Sequence, residues 1–105
     1  MKQTLKSERR VLMELKQGNN RFYILDDQKK EIGEVTFSEQ GPSVISIDHT
    51  FVDPNYRGKH IAQQLIQAVV NLAEKENLSI LPVCSYAKVL FERKKEYQHY
   101  KYKPL

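Results

Sequence analysis

The sequence predicts an α/β (α+β) domain: a mixed, mostly antiparallel sheet with two main helices packed on it, in two layers or three. Three observations carry that expectation. The first half is a series of short apolar stretches separated by turn residues. Val44 to Val52 then alternates side by side like a strand, and an apolar pattern of helical period follows from Ile61 to Ala73. A short, nearly all-apolar stretch, Ser79 to Val83, comes next and reads as a strand buried on both faces. A strand–helix–strand unit of this kind implies parallel pairing through a right-handed crossover.

In chain order, residues 1–10 are polar and expected to fray. Val11 to Leu15 reads as a short strand, Gly18-Asn19-Asn20 as a turn, and Arg21 to Leu25 as a second strand. Asp26 to Lys30 is a hairpin loop. Glu31 to Ser38 is a third strand, with Ile32 on one face and Val35 and Phe37 on the other, closed by a turn at Gln40-Gly41-Pro42. In Val44–Val52, strict alternation puts Ile45, Ile47, His49 and Phe51 on one face and Val44, Ser46, Asp48, Thr50 and Val52 on the other. Pro54 ends the strand because it cannot donate to a ladder. The helix from Ile61 turns Ile61, Ala62, Leu65, Ile66, Val69, Leu72 and Ala73 inward and ends at the C-cap Asn77. A last helix, from near Tyr86 to about Lys95, buries Ala87, Leu90 and Phe91.

At 105 residues one hydrophobic core is expected, a single domain over 1–105. With 40% hydrophobic and 29% charged residues the chain has the composition of a soluble globular protein, not a disordered one. No apolar run approaches the ~18 residues of a membrane helix, and the N-terminus lacks the apolar core of a signal peptide. The single cysteine, Cys84, offers no disulfide framework, so a cytoplasmic location is expected. No residue is assigned to a metal. The net charge of +4 resides in residues 85–105, where six basic side chains face two acidic ones. With Tyr97, Tyr100 and Tyr102 interleaved, this tail suits either a nucleotide or a solvated helix end. Sequence-specific nucleic-acid binding is disfavoured, and a phosphorylated cofactor is retained.

Tyr56-Arg57-Gly58-Lys59-His60-Ile61-Ala62 stands between the clearest strand and the clearest helix. A helix N-terminus offers unpaired N–H groups and about half a positive charge, Gly58 allows close backbone approach, and Arg57 and Lys59 add full charges. The segment is neither a phosphate-binding loop of the nucleotidase type nor a dinucleotide fingerprint, since both spacings are absent. Asp53-Pro54-x-Tyr56-Arg57-Gly58-Lys59-x-Ile61-Ala62, after a strand and before an amphipathic helix, resembles the acyl-CoA signature [RQ]-x-x-G-x-[GA] of the GNAT superfamily of N-acyltransferases. Arg57 takes its first position and Ala62 its last, while His60 replaces the middle glycine. Asp48-His49-Thr50, Pro82-Val83-Cys84-Ser85-Tyr86 and Phe91-Glu92-Arg93 extend the resemblance, over about residues 21–100, to a compact single-domain branch of that superfamily.

The resemblance implies a GNAT-like fold and transfer of an acetyl or similar group from coenzyme A (acetyl-CoA) to an amine. It places Phe51 and Val52 along the pantetheine arm. Arg57, Gly58, Lys59, His60, Ile61 and Ala62 fall at the pyrophosphate, and Arg93, with Lys94 and Lys95, near the 3′-phosphate and adenine. Phe91 occupies the slot where many members carry a proton-donating tyrosine, which leaves Cys84 and Tyr86 as the nearest protic groups. His49 is a candidate general base or a histidine satisfied by its neighbours. Cys84 is a candidate acyl acceptor, a proton donor or a small packed residue. The acceptor amine is a small molecule, peptide or protein, and the oligomeric state is left open. A non-catalytic CoA-binding or regulatory domain is the alternative, and a basic nucleic-acid binder stands behind it.

Overall fold

The computed structural model describes residues 13–103. Five strands lie in the order β1 (Glu14–Gly18), β2 (Arg21–Leu25), β3 (Glu31–Gly41), β4 (Val44–Val52) and β5 (Ser79–Pro82). The first four are antiparallel neighbours, and β5 runs parallel to β4. Helix α1 (Ile61–Glu76) makes the crossover, and α2 (Ser85–Arg93) follows β5. Short 3₁₀ turns at Pro54–Tyr56 and Lys95–His99 complete the described chain. After the second turn, Tyr102 N–H donates to the Ile80 carbonyl and Ile80 N–H to that of Tyr100, each at 2.7 Å, so the tail pairs along the outer side of β5. The fold class is the one the sequence predicts. No described helix is long and apolar enough to cross a membrane. The expectation for residues 1–10, and the start of the first strand, lie outside the described residues.

One core forms between the sheet and both helices, joining Ile24, Ile32, Val35, Ile47, Leu65, Ile66, Val69, Ile80, Ala87 and Phe91. Helix α1 ends as its sequence suggests. Asn77 adopts the left-handed conformation (φ 60°), and its N–H reaches back to the carbonyls of Ala73 and Glu74. Gly33 explains how α1 starts so close to the sheet. A Cβ there would stand 3.0 Å from Ile61 Cγ2 and 3.2 Å from Leu65 Cδ1.

Four expectations need correction. First, β1 is shifted toward Gly18, and β3 runs on to Gly41, with its turn at Pro42-Ser43. Second, Ile32 is not set apart from Val35 and Phe37. The register slips between Leu25↔Glu31 and Ile24↔Gly33, so Ile32 is the extra residue of a bulge and joins the same core. Third, the stretch at Ser79–Val83 is not buried on both faces. Ile80 is buried, but Leu81 and Val83 are 37% and 47% exposed, because α1 and α2 share one face of the sheet. Fourth, α2 (Ser85–Arg93) stops two residues short of Lys95, since Lys94 is extended (φ −101°, ψ 105°).

A further correction concerns β4. Phe37 pairs with Ile47 but Thr36 with His49, which leaves Asp48 as an extra residue. The alternation restarts there. Gly33, Val35 and Phe37 oppose Val52, Thr50 and Ile47, so Thr50 and Val52 share the helix-covered face with Ile47. His49 and Phe51 turn to the opposite, exposed face instead of following Ile45 and Ile47. The side chains hold the bulge. Asp48 accepts one hydroxyl from Ser46 at 2.6 Å and one from Ser38 at 2.7 Å, and Gln40 Nε2 donates to both serines.

Candidate functional site

The bulge also sets where β4 and β5 part. Their pairing runs from Val44↔Ser79 to Ile47↔Pro82 and stops. The Ile47 carbonyl then accepts both Val83 N–H (3.0 Å) and Cys84 N–H (3.1 Å), and the chain turns into α2. Beyond that point β4 has no partner on its β5 side among the described residues. Asp53 N–H donates to Ile32 O, and backbone groups alternate along a strand, so the N–H and C=O of Thr50 and Val52 point toward this gap.

A cleft of about 400 Å³ opens where the gap meets the turn. Thr50 and Val52 form its floor, Tyr56, Arg57 and Gly58 one wall, His60, Ile61 and Ala62 the start of α1, and Tyr86 of α2 the other wall. The first N–H groups of α1, like those of any α-helix, have no intrahelical partner, and no N-cap side chain accepts from them. Gly58 has φ +86°, a conformation L side chains rarely adopt, and nothing lies within 4 Å of where its Cβ would stand. The backbone can therefore be approached from the cleft. His60, at the N-cap, is also left-handed (φ 62°) despite carrying a side chain, at a cost of about 1–2 kcal/mol. Arg57 is exposed and its Nε donates to the Val52 carbonyl at 3.4 Å.

Cys84 is the N-cap of α2. Its Sγ accepts from Ala87 N–H at 3.4 Å and lies 3.3 Å from Thr50 Oγ1, at the base of the gap. Tyr86 follows two residues later, in the first turn of α2. Of the residues singled out from sequence, Val52, Arg57, Gly58, His60, Ile61, Ala62 and Tyr86 come together around the cleft, and Cys84 stands beside it through Thr50. His49 and Phe51 do not join them, because of the bulge. Lys59 is exposed beside the turn without lining the cleft, and Arg93 is exposed at the end of α2, away from it. Phe91 is buried against Tyr97, with ring centres 5.2 Å apart. Sequence reasoning missed Thr50 and Tyr56. Thr50 reads as the polar side of a regular strand until the register shows the bulge, and no sequence signal marks the role of Tyr56.

Tyr56 donates its hydroxyl to Asp26 Oδ2 at 3.1 Å. The carboxyl of Asp26 is held below the ordinary carboxylate range, chiefly by the Lys30 N–H and then by those of Gln28 and the Tyr56 hydroxyl, against the effect of burial. The Tyr56 phenol is pushed up, first by the same bond. In the tail, Tyr97 is buried and donates to Gln67 Oε1, which removes the first of the three interleaved tyrosines of the nucleic-acid reading from any stacking surface.

A mixed sheet whose parallel pair parts at a bulge lies beside an uncapped helix N-terminus, an arrangement whose chemistry suits an extended anionic ligand. The family model of GCN5-related N-acetyl-transferases matches residues 21–100, and the chain belongs to that family of acyl-CoA-dependent enzymes. The solution structure of a GCN5-like N-acetyltransferase candidate from Staphylococcus aureus is 37% identical over 88% of this chain and 90% of that one, with a TM-score of 0.72. An Escherichia coli GNAT-family N-acetyltransferase in complex with CoA shares the fold at 22% identity (TM-score 0.60), over 70% of this chain and 43% of that one. The ribosomal-protein-S18-alanine N-acetyltransferase of Escherichia coli does so at 17% identity (TM-score 0.59), over 73% and 53%. No curated protein matches the chain.

Proposed function

We propose that this chain binds acetyl-CoA in the cleft and transfers the acetyl group to an amine. The observation that carries the reading is the convergence, in one cleft, of the Gly58 backbone, the uncapped start of α1 and the unpaired edge of β4 at Thr50 and Val52. The residues fit the ligand by chemistry. Backbone N–H groups and Arg57 suit a pyrophosphate, and an unpaired strand edge suits the amides of pantetheine. In the transfer the thioester C–S bond breaks and a C–N bond forms, while a proton leaves the amine and one reaches the sulfur. Cys84 is the nearest candidate for the sulfur's proton or for an intermediate acyl acceptor, with Tyr86 beside it. His49, on the far face of β4, is a candidate for the amine's proton. A single domain over the whole chain is part of the same reading.

Ligand stabilisation tests the binding step. CoA at a hundredfold its Kd should add about 2.7 kcal/mol to the free energy of unfolding. Gly58→Leu should abolish that gain, and an undiminished gain would put the site elsewhere. Phe91, buried and without a proton to give, favours a second reading, a non-catalytic CoA-binding domain. Acetyl-CoA hydrolysis or transfer assays decide between them. An acetyl mass increment on Cys84, formed without acceptor, marks a nucleophile. Loss of rate in Cys84→Ala without that increment, at unchanged CoA affinity, marks a proton donor.

A further inference from the structure

We propose that Asp26, thirty residues before the phosphate-facing turn, is a positioning residue that sets the conformation of Arg57–His60 by holding Tyr56. The loop between β2 and β3 is itself rigidly tied. Asp26 Oδ1 accepts both Gln28 N–H and Lys30 N–H at 2.9 Å, and Lys29 N–H closes on the Asp26 carbonyl at 3.0 Å. That leaves Oδ2, which takes the Tyr56 hydroxyl. Asp26 is buried although it is charged, so its carboxylate has few other partners to choose. The same loop grips the other end of the 3₁₀ turn. Lys30 Nζ lies 3.4 Å from Asp53 Oδ2, while Asp53 Oδ1 caps Asn55 N–H at 2.8 Å.

Between Tyr56 and the first residue of α1 the chain makes little contact. Gly58 has open space around it, Lys59 and His60 are exposed, and Arg57 makes two long bonds of 3.4 Å, from its N–H to the Pro54 carbonyl and from Nε to the Val52 carbonyl. Two residues there, Gly58 and His60, are left-handed, the conformations least able to hold themselves. Fixing Tyr56 at one end and Ile61, which is buried, at the other therefore decides where the intervening N–H groups point. A ligand that meets these groups already in place loses less freedom on binding. The charged acceptor makes the Tyr56 bond stronger than a neutral one would be.

The link to CoA rests on the function proposed above, whereas the link to the turn does not, and one experiment separates them. Amide hydrogen exchange is measured for residues 57–60 in the CoA-free protein, and CoA affinity by calorimetry, for the parent, Tyr56→Phe, Asp26→Asn and the double variant. Asparagine keeps the loop's two backbone bonds and weakens only the bond to Tyr56. Exchange at 57–60 should quicken in both single variants while the core of α1 is unchanged. CoA should bind about three- to tenfold more weakly in Tyr56→Phe, the size of one lost bond to a charged group that is partly screened. The double variant should be no worse than Tyr56→Phe alone. Unchanged exchange at 57–60, or fully additive effects, would overturn the positioning role whatever happens to CoA. Quickened exchange with unchanged CoA affinity would overturn its bearing on the ligand. Quickened exchange in the variants of a parent that itself binds no CoA would uphold the positioning and sink the ligand assignment instead.

Discussion

The two halves of β4 are neighbours in one strand and do opposite work. Val44–Ile47 is paired on both sides, and Ile45, Ser46 and Ile47 are buried. His49–Val52 is paired on one side only, and its inward residues Thr50 and Val52 line the cleft. A single extra residue, Asp48, separates them. A strand that stayed regular would keep pairing with β5 and close the gap; one that bends can let go of its neighbour without losing its other partner. Stability and ligand access are thus divided along one strand instead of being traded at every position.

Deleting Asp48 is the sharpest way to break that division. The facing of Ile47, Thr50 and Val52 would survive, because the bulge residue is the one removed. The bend would not, so the deletion protein should fold but lose the whole CoA-dependent gain, about 2.7 kcal/mol at hundredfold Kd. An unchanged response to CoA would detach the bulge from the site. A contrast between the halves comes next. Ile47→Ala, at a fully buried position, should cost about 2–5 kcal/mol in chemical denaturation. Thr50→Ala should cost about 1 kcal/mol or less, since it loses one bond to a thiol, and should show itself in turnover. Equal losses of stability would erase the contrast.

Gly33→Ala should have an intermediate effect, about 1–3 kcal/mol, because the new methyl meets Ile61, Leu65 and the Phe51 carbonyl. The displaced start of α1 should also weaken CoA, so a variant that loses stability and keeps full affinity would contradict the account of how that helix is placed. The smallest effect concerns acid. The folded Asp26 carboxyl sits below its unfolded value, so its contribution is present above the ordinary carboxylate range and disappears as pH falls through the folded value, below about pH 4. Exchange at 57–60 should quicken there ahead of α1. Loosening of both together would mean that Asp26 acts on the fold as a whole.

Much of this was legible in the sequence. The period of Ile61–Ala73, the left-handed C-cap Asn77 and the Pro54 stop are local, and local rules place them well. The Arg57–Ala62 turn was legible too, since charge, glycine and a helix start coincide there. The bulge was not. Ser46, Asp48 and Thr50 read as the polar side of a regular strand, and the bonds that make Asp48 different come from Ser46 on its own strand and Ser38 on β3, with Gln40 donating to both serines. The exposure of Leu81 and Val83 depends on which face the helices choose, which an apolar run cannot state. The tie between Asp26 and Tyr56 spans thirty residues and leaves no periodic trace.

The pairing of the tail with β5 has a consequence for how the molecule meets its own copies. An unpaired strand edge invites another chain to add to it. On one side the short sequence from Tyr100 to Tyr102 occupies that position on β5, and Lys101 and Lys103 bring positive charge to the place where a stranger would dock. On the opposite side β1 is only five residues long and carries Glu14, ion-paired to Lys29, and an exposed Lys16. Among the described residues both margins of the sheet are short and charged, and the strand edge without such protection is internal, in the gap above Ile47.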